Sequence, residues 1–406
     1  MNKLPLEGIR IADFTWVGAG PFVTKALADH GAEVIKVESA TRVDVIRLMH
    51  PCAGGVPGVN RGGYYSNRNS SKKAITLNLK NPKGLEVAKR LIAICDVVAD
   101  NFTAGTMDKL GLGYEVGRKI KPDIIYISMP MQGSGGPHTF HRGYGVTIGA
   151  LSGFYNLIGY PDRDPVGTGT NFPDHVPNPT HASISIMAAL IHRQHSGHGQ
   201  FIEMSQFEST MNLFGSALLD YAVNGREAIR LGNRLPYASP HGVYPCKGDD
   251  RWCAITCFNE EEWLALCQAM DLAQLANDSR FATLRARLSH ADELDQEISA
   301  WTLEWEPFNL MNYLQSKGVA AGVVEDARDT IERDEQLEAR GHWVYLDHPE
   351  MGKSLYDGPP YRLSKTTGYL RSYAPLLGEH TREVCFEVLG MDKSEFDELK
   401  QAGAFE

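Results

Sequence analysis

The sequence lacks both a GxSxG element and a GxxxxGK[ST] loop, so serine-hydrolase and nucleotide-hydrolase chemistry lose their support. It also lacks long hydrophobic runs. Stretches such as Ile184 to Ile191 fall short of the roughly 20 apolar residues of a membrane-spanning helix. The opening MNKLPLEGIRIADF has no basic-then-apolar signal order, so a cytoplasmic protein with no membrane partner is expected. Basic charge is in short supply: 40 Lys+Arg stand against 50 Asp+Glu, a net charge of −10. That balance argues against nucleic-acid binding, which relies on broad basic surfaces. Cysteine is sparse, odd in number at 7 and scattered, as in a reducing compartment. Cys253 and Cys257, in RWCAITCF, would share one side of a strand. No second Cys/His pair has zinc-site spacing, so buried thiols and no metal site are expected.

What is present begins with a βαβ unit. The apolar run Ile9 to Phe14 leads into the turn TWVGAGP, a helical pattern from Pro21 to His30, and a second apolar run from Ala32 to Glu38. The alternation continues with KAITLNLK (Lys73 to Lys80) as a strand and Pro82 to Ile94 as an amphipathic helix. Strands at Asp96 to Phe102 and Asp123 to Met129 follow. An α/β domain with parallel strands follows from that order. Residues 131–180 are rich in Gly, Pro and Asn and read as a long loop region. A helix from Pro179 to His195 comes next, with Asn178 as its cap. From about Asn233 the character shifts to a smaller α+β unit. A tail of short strands and a final helix near Ser394 to Gly403 completes the chain.

Between Ser39 and Leu85 lie eight basic residues (Arg42, Arg47, Arg61, Arg68, Lys72, Lys73, Lys80, Lys83) and the single acid Asp44. Two readings stand: a solvated face, or a phosphate site at the ends of parallel strands. Gly18-Ala19-Gly20 is a fragment of a dinucleotide fingerprint, but Val23 stands where its third glycine belongs. A nicotinamide or flavin site is not expected. His192, His195 and His198 fall at a helix end, where imidazolium suits the dipole better than a metal would. Asp174 lies between Pro173 and Pro177, close to a helix start, on stiff backbone. It reads either as a turn or capping residue, or as a carboxylate held ionised by the dipole and able to attack an activated acyl group.

Several motifs together resemble the class III CoA-transferases, the formyl-CoA and carnitine CoA-transferase family. They are PLEGIRIADFTWVGAGP, KKAITLNLKNPKG, DNFTAGTMDKLGLGYE, ALIHRQHSGHGQFIEMSQFES, SRFATLRARLSHADEL and GPPYRLSKT with APLLGEHT. The resemblance implies a Rossmann-like large domain built from the N-terminal part plus the C-terminal tail (1–200 and 335–406). A linker (201–232) and a small α+β domain with its return linker (233–334) would complete the chain. It also implies an interlocked dimer and coenzyme A thioesters as substrates, with no cofactor bound permanently.

Residue by residue, the resemblance places coenzyme A contacts at Gly18 and Ala19, at Leu77, Asn78, Leu79 and Lys80, at Asn101, Phe102 and Thr103, and at His141, Arg142, Gly143 and Tyr144. Lys109 replaces a frequent Arg and keeps the charge without the bidentate fork. Ser39 stands where an adenosine-contacting Arg can occur, with Arg42 as its substitute. Asp174 is the implied nucleophile, passing through aspartyl anhydride and aspartyl-CoA thioester intermediates shielded from water. Gly145 occupies a position where an Asp, Glu or Asn is frequent.

The segment TGTNFPDHVPNPTHASISIMAALIHR is similar to family members that move CoA from succinyl-CoA to (R)-benzylsuccinate in anaerobic toluene degradation. Such a protein would pair with a paralogous subunit, as a heterodimer or heterotetramer. Trp16, Phe172 and Tyr237 are candidate aromatic neighbours for the benzyl group. NRLPYASPHGVY has no counterpart of the family's Gly-rich shielding loop, in keeping with a bulkier acid. Two alternatives stay open: a catalytically silent assembly subunit, and an α-methylacyl-CoA racemase. The racemase would need a near-neutral base where Tyr144 stands.

Overall fold

The structure, a computed structural model, describes residues 3–406. Six short strands form one parallel sheet: β1 (Arg10–Asp13), β2 (Glu33–Glu38), β3 (Lys73–Thr76), β4 (Val97–Asp100), β5 (Ile125–Ser128) and β6 (Phe201–Glu203). Their spatial order is β3-β2-β1-β4-β5-β6. Parallel strands need crossovers and are covered on both faces, so they read as continuous apolar runs, as IRIADF and EVIKVE do. The order reverses between β1 and β4, and in open α/β sheets the crevice outside the strand ends at that reversal is where ligands bind.

Local sequence sets the helices. In Pro82–Ile94 the Asn81 side chain accepts from Lys83 N at 2.9 Å and Pro82 takes the first position. Gly84, Val87, Ala88, Leu91 and Ile92 form the buried face at helical spacing. The first helix starts at Ala19, two residues before Pro21, because the uncapped Gly18 turn already feeds it.

Two expected boundaries shift for clear reasons. β3 stops at Thr76 because its one neighbour, β2, ends opposite it at Glu38. Asn78 N then donates to Ala404 O, and residues 77–80 leave the sheet as a loop. The long helix runs Pro177–Ser196. Asn178 lies inside it, fully buried and bonded to Gln206 rather than capping. Prolines at 177 and 179 are tolerated because first-turn N–H groups have no helical partner. Within the stretch read as loop, Gly145–Leu151, Phe154–Leu157 and Phe172–His175 form short helices.

The chain divides into two compact units, one of residues 1–155, 167–227 and 339–406, the other of 156–166 and 228–338. In the first, the hairpin of β10 (Trp343–His348) and β11 (Gly352–Asp357) and the final helix Lys393–Gln401 belong with the parallel sheet. Leu399 and Ala404 are part of its core. The second is built on an antiparallel sheet of β7 (His241–Pro245), β8 (Trp252–Thr256) and β9 (Ala320–Val323). Cys253, Cys257 and Cys267 are buried in its core, where burial pushes each thiol up to about 12. Among the described residues no helix is long and apolar enough to cross a membrane, and no cluster of His, Cys, Asp and Glu could hold a metal ion.

Of the basic excess between Ser39 and Leu85, Arg42, Lys80 and Lys83 are exposed, while Arg47, Arg68 and Lys72 are buried in the fold. Arg47 is fully buried and bidentate to Glu38, at 2.8 and 2.7 Å. Lys73 pairs with Glu33 and Glu383, and Arg61 donates to Glu350 O. Lys72 reaches Asp13 at 3.1 Å in full burial. Burial pushes Lys72 down to about 8, while at Asp13 the burial penalty is outweighed by the Lys72 and Lys36 cations, which hold it low. Lys72→Met leaves the Asp13 charge without that partner. A loss of about 3–5 kcal/mol in a denaturant titration is expected.

Candidate active site

A cleft of about 770 Å³ opens at the carboxyl ends of the strands, around the β1–β4 reversal. Gly18 and Ala19 line it after β1, Ser39 and Arg42 after β2, and Leu77, Asn78, Leu79 and Lys80 after β3. Asn101, Phe102 and Thr103 follow β4, with Lys109 just beyond. His141, Arg142, Gly143 and Tyr144 come from the loop after β5, and Asp174 closes the set. Every residue that the resemblance places in contact with coenzyme A, and Asp174 with them, therefore lines one cavity. Of the eight-residue basic run, only Arg42 and Lys80 line it.

The turn between β1 and its helix is rigidly held. Asn101 clamps the Trp16 backbone by accepting from its N–H and donating to its C=O, both at 2.8 Å. Val17 adopts φ 63°, a left-handed conformation that costs a β-branched residue about 1–3 kcal/mol. Its N–H donates to the buried Asp44 carboxylate at 3.2 Å, and Lys36, 3.5 Å from Asp44, donates to Thr15 O at 2.6 Å. These buried groups hold the strained turn, which delivers Gly18 and an uncapped helix N-terminus into the cleft.

Asp174 sits on the short helix Phe172–His175, with its N–H donating to Asn171 O at 2.9 Å. Its side chain is packed between two glycines. A Cβ built on Gly18 would lie 3.0 Å from Asp174 Oδ2, and one on Gly145 would lie 2.8 Å from the same oxygen and 2.9 Å from Cγ. The Gly145 backbone favours the ionised carboxylate. Gly145 thus supplies the space where a side chain would intrude. Burial pushes this carboxylate up to about 6, against the pull of the Gly145 N–H and the Arg68 cation, so it is still mostly ionised at neutral pH.

Three groups behind Asp174 escaped the sequence reading. His175 Nε2 is 3.1 Å from Tyr64 Oη, and His175 Nδ1 is 3.1 Å from an Arg68 Nη. Burial, together with the Arg68 cation, pushes His175 down to about 4. His175 adjoins Asp174 in sequence and was the available signal. Of the aromatic candidates, Trp16 lines the cleft and Arg42 lies over its ring at 5.6 Å. Phe172 packs against Phe154 and is not in the cleft wall, and Tyr237 belongs to the other unit.

CoA-transferase family III matches residues 6–381. The chain belongs to this family. Succinyl-CoA:glutarate CoA-transferase of Mus musculus is 34% identical over 403 residues, covering 99% of this chain and 90% of the relative. The succinyl-CoA–L-malate CoA-transferase beta subunit of Chloroflexus aurantiacus is 32% identical, covering 98% of each. A CaiB/BaiF family protein from Brucella suis superposes with a TM-score of 0.87 at 32% identity, over 96% of this chain and 100% of that one. The protein is accordingly a class III CoA-transferase, a transferase whose substrates are CoA thioesters.

Proposed function

We propose that this CoA-transferase moves CoA from succinyl-CoA to a dicarboxylic acid, (R)-benzylsuccinate, with Asp174 as nucleophile. The observation that carries the proposal is the convergence of the strand-end loops and Asp174 on one cleft. Arg42, Lys80 and Lys109 offer cations to the phosphates of CoA, and the strand-end loops receive its adenosine and pantetheine. An Asp174 oxygen attacks the thioester carbonyl. The C–S bond breaks, giving an anhydride between Asp174 and the succinyl group, with CoA as thiolate. The thiolate attacks the aspartyl carbonyl and releases succinate, leaving an aspartyl-CoA thioester. The acceptor carboxylate displaces the thiolate to form a second anhydride. Thiolate attack on the acceptor's acyl carbon then yields the new thioester and regenerates the Asp174 carboxylate. Each step exchanges one activated acyl group for another, so water must be kept out.

Trp16, at the cleft wall next to the Gly18 turn, supports an acid with an aromatic substituent. A dimer, interlocked and completed by a paralogous subunit, is part of the same proposal, and with it the place in anaerobic toluene degradation. The helix Gly215–Asn224 buries none of its residues, and Leu219 and Val223 are 65% and 76% exposed. Such a face suits burial against a partner chain. The similarity to a beta subunit points the same way.

The test is to incubate the protein with succinyl-CoA and a panel of glutarate, L-malate, D-citramalate and (R)-benzylsuccinate, and to weigh the CoA esters formed. Benzylsuccinyl-CoA in equimolar yield with succinate is the expected product. A CoA ester of another acid alone overturns the acceptor assignment, and no ester at all overturns the donor. Native mass of the complex reads the dimer.

A further inference from the structure

Arg68 is a buried cation without a salt bridge among the described residues. Burying a guanidinium unpaired is costly, and an apolar residue of similar size would ordinarily serve packing better. One Nη donates to Asn67 Oδ1, and Asn67 relays to Asp357 on β11. The other Nη faces both ring nitrogens of His175, and among the described residues Nε–H has no partner. The guanidinium carbon lies over the Phe22 ring, 4.3 Å from its centroid, and over the Tyr64 ring, 5.4 Å away. It is therefore fixed in place, with its charge left over.

The same Arg68 Nη lies 3.1 Å from His175 Nδ1 and 3.4 Å from Nε2, so the cation faces the ring edge that carries both nitrogens. His175 Nε2 also meets Tyr64 Oη at 3.1 Å. Tyr64 Oη and Asp174 Oδ2 flank the same spot, 3.2 and 3.0 Å from where a Gly18 Cβ would be. The titratable or charged groups facing Asp174 are Arg68 and Tyr64 from the helix Gly63–Asn69 and Tyr155 from Phe154–Leu157. Those facing His175 are Arg68, Tyr64 and Asp357. Arg68 is the one cation in either set.

We infer that Arg68 is a positioning residue for CoA transfer: bridging Asn67 and His175, it fixes the turn that carries Asp174, and its charge keeps that carboxylate in the ionised, attacking form. The inference rests on the reading of Asp174 as nucleophile. Burial works against ionisation at Asp174, and Arg68 is the opposing charge.

The test compares the pH profile of kcat/KM between pH 5 and 9 for the wild type, Arg68→Gln and Arg68→Lys. The wild type is expected to lose activity on the acid side with a midpoint near 6, the value set for Asp174. Arg68→Gln is expected to move that midpoint up by about one unit, a loss of about fivefold at pH 6 that narrows above pH 8. Arg68→Lys, which keeps charge without the bridge, is expected to restore the midpoint but not the full rate. An Arg68→Gln profile lowered evenly at every pH, with its midpoint unmoved, overturns the inference.

Should Arg68→Gln not fold, nitrogen NMR of the full-length wild type labelled at histidine decides, with His175→Gln assigning the signal. An imidazole that stays neutral down to pH 5 supports the inference, and titration near 6.5 overturns it. Full activity of Asp174→Asn would sink the nucleophile reading itself, whereas an inactive Asp174→Asn beside an unmoved Arg68→Gln midpoint would sink this inference alone.

Discussion

Asp174→Asn is expected to lose CoA transfer by at least about a thousandfold while the protein becomes more stable. The amide matches the carboxylate in shape, so it fits between Gly18 and Gly145, but it has no anionic oxygen to attack a thioester. The stability gain follows from the proton equilibrium. Asp174 is raised from 3.8 to about 6 by burial, so the folded state binds its proton more tightly than the unfolded chain does. Stability from this group is therefore fullest below pH 4 and declines as pH rises towards 6. Above that, the ionised carboxylate opposes folding by up to about 3 kcal/mol. Replacing Asp174 should raise the melting temperature at pH 8 and change it little at pH 4. Melting curves at the two pH values, with the transfer assay beside them, check both halves. Full activity would favour the silent-subunit alternative. A melting gain equal at both pH values would place the stabilisation elsewhere than in the buried charge.

The parallel sheet and the walls of the cleft were legible because they are local. A short apolar run followed by GAGP, or by DNFT, announces a strand end and a turn, and the position of each loop follows from the strand before it. The shared cavity of Gly18, Leu77, Asn101 and Arg142 is a consequence of strand order. The basic run misled for the opposite reason. Arg47 and Lys72 are held by Glu38 and Asp13, acids carried on other strands, and nothing local shows that those charges are consumed. At Asp174 the dipole argument left out burial, which no local pattern shows and which pushes the carboxyl up to about 6. Arg68 and His175 are 107 residues apart in the chain, so only the packing of Gly63–Asn69 against the Asp174 turn reveals them.

Gly145→Ala carries the second large effect. At Gly145 the added methyl would meet Asp174 Oδ2 at 2.8 Å, Cγ at 2.9 Å and Asn171 Cβ at 3.0 Å, closer than a real Cβ tolerates. The helix Gly145–Leu151 gains from alanine at its first position, so the backbone has no reason to yield. The carboxylate must turn away instead, off the Gly145 backbone and out of line with the thioester. Misplacement of a nucleophile by about 1 Å can cost about a hundredfold in rate. The expected result is therefore a fall in kcat of about a hundredfold. KM for succinyl-CoA should stay within a few fold, because the strand-end loops proposed to hold CoA are untouched. Gly18→Ala, where the methyl meets the same oxygen at 3.0 Å, should do the same to a smaller degree. Steady-state kinetics of the two variants read the order directly. A Gly145→Ala protein with wild-type kcat would mean that Asp174 does not act from the position it occupies between the two glycines.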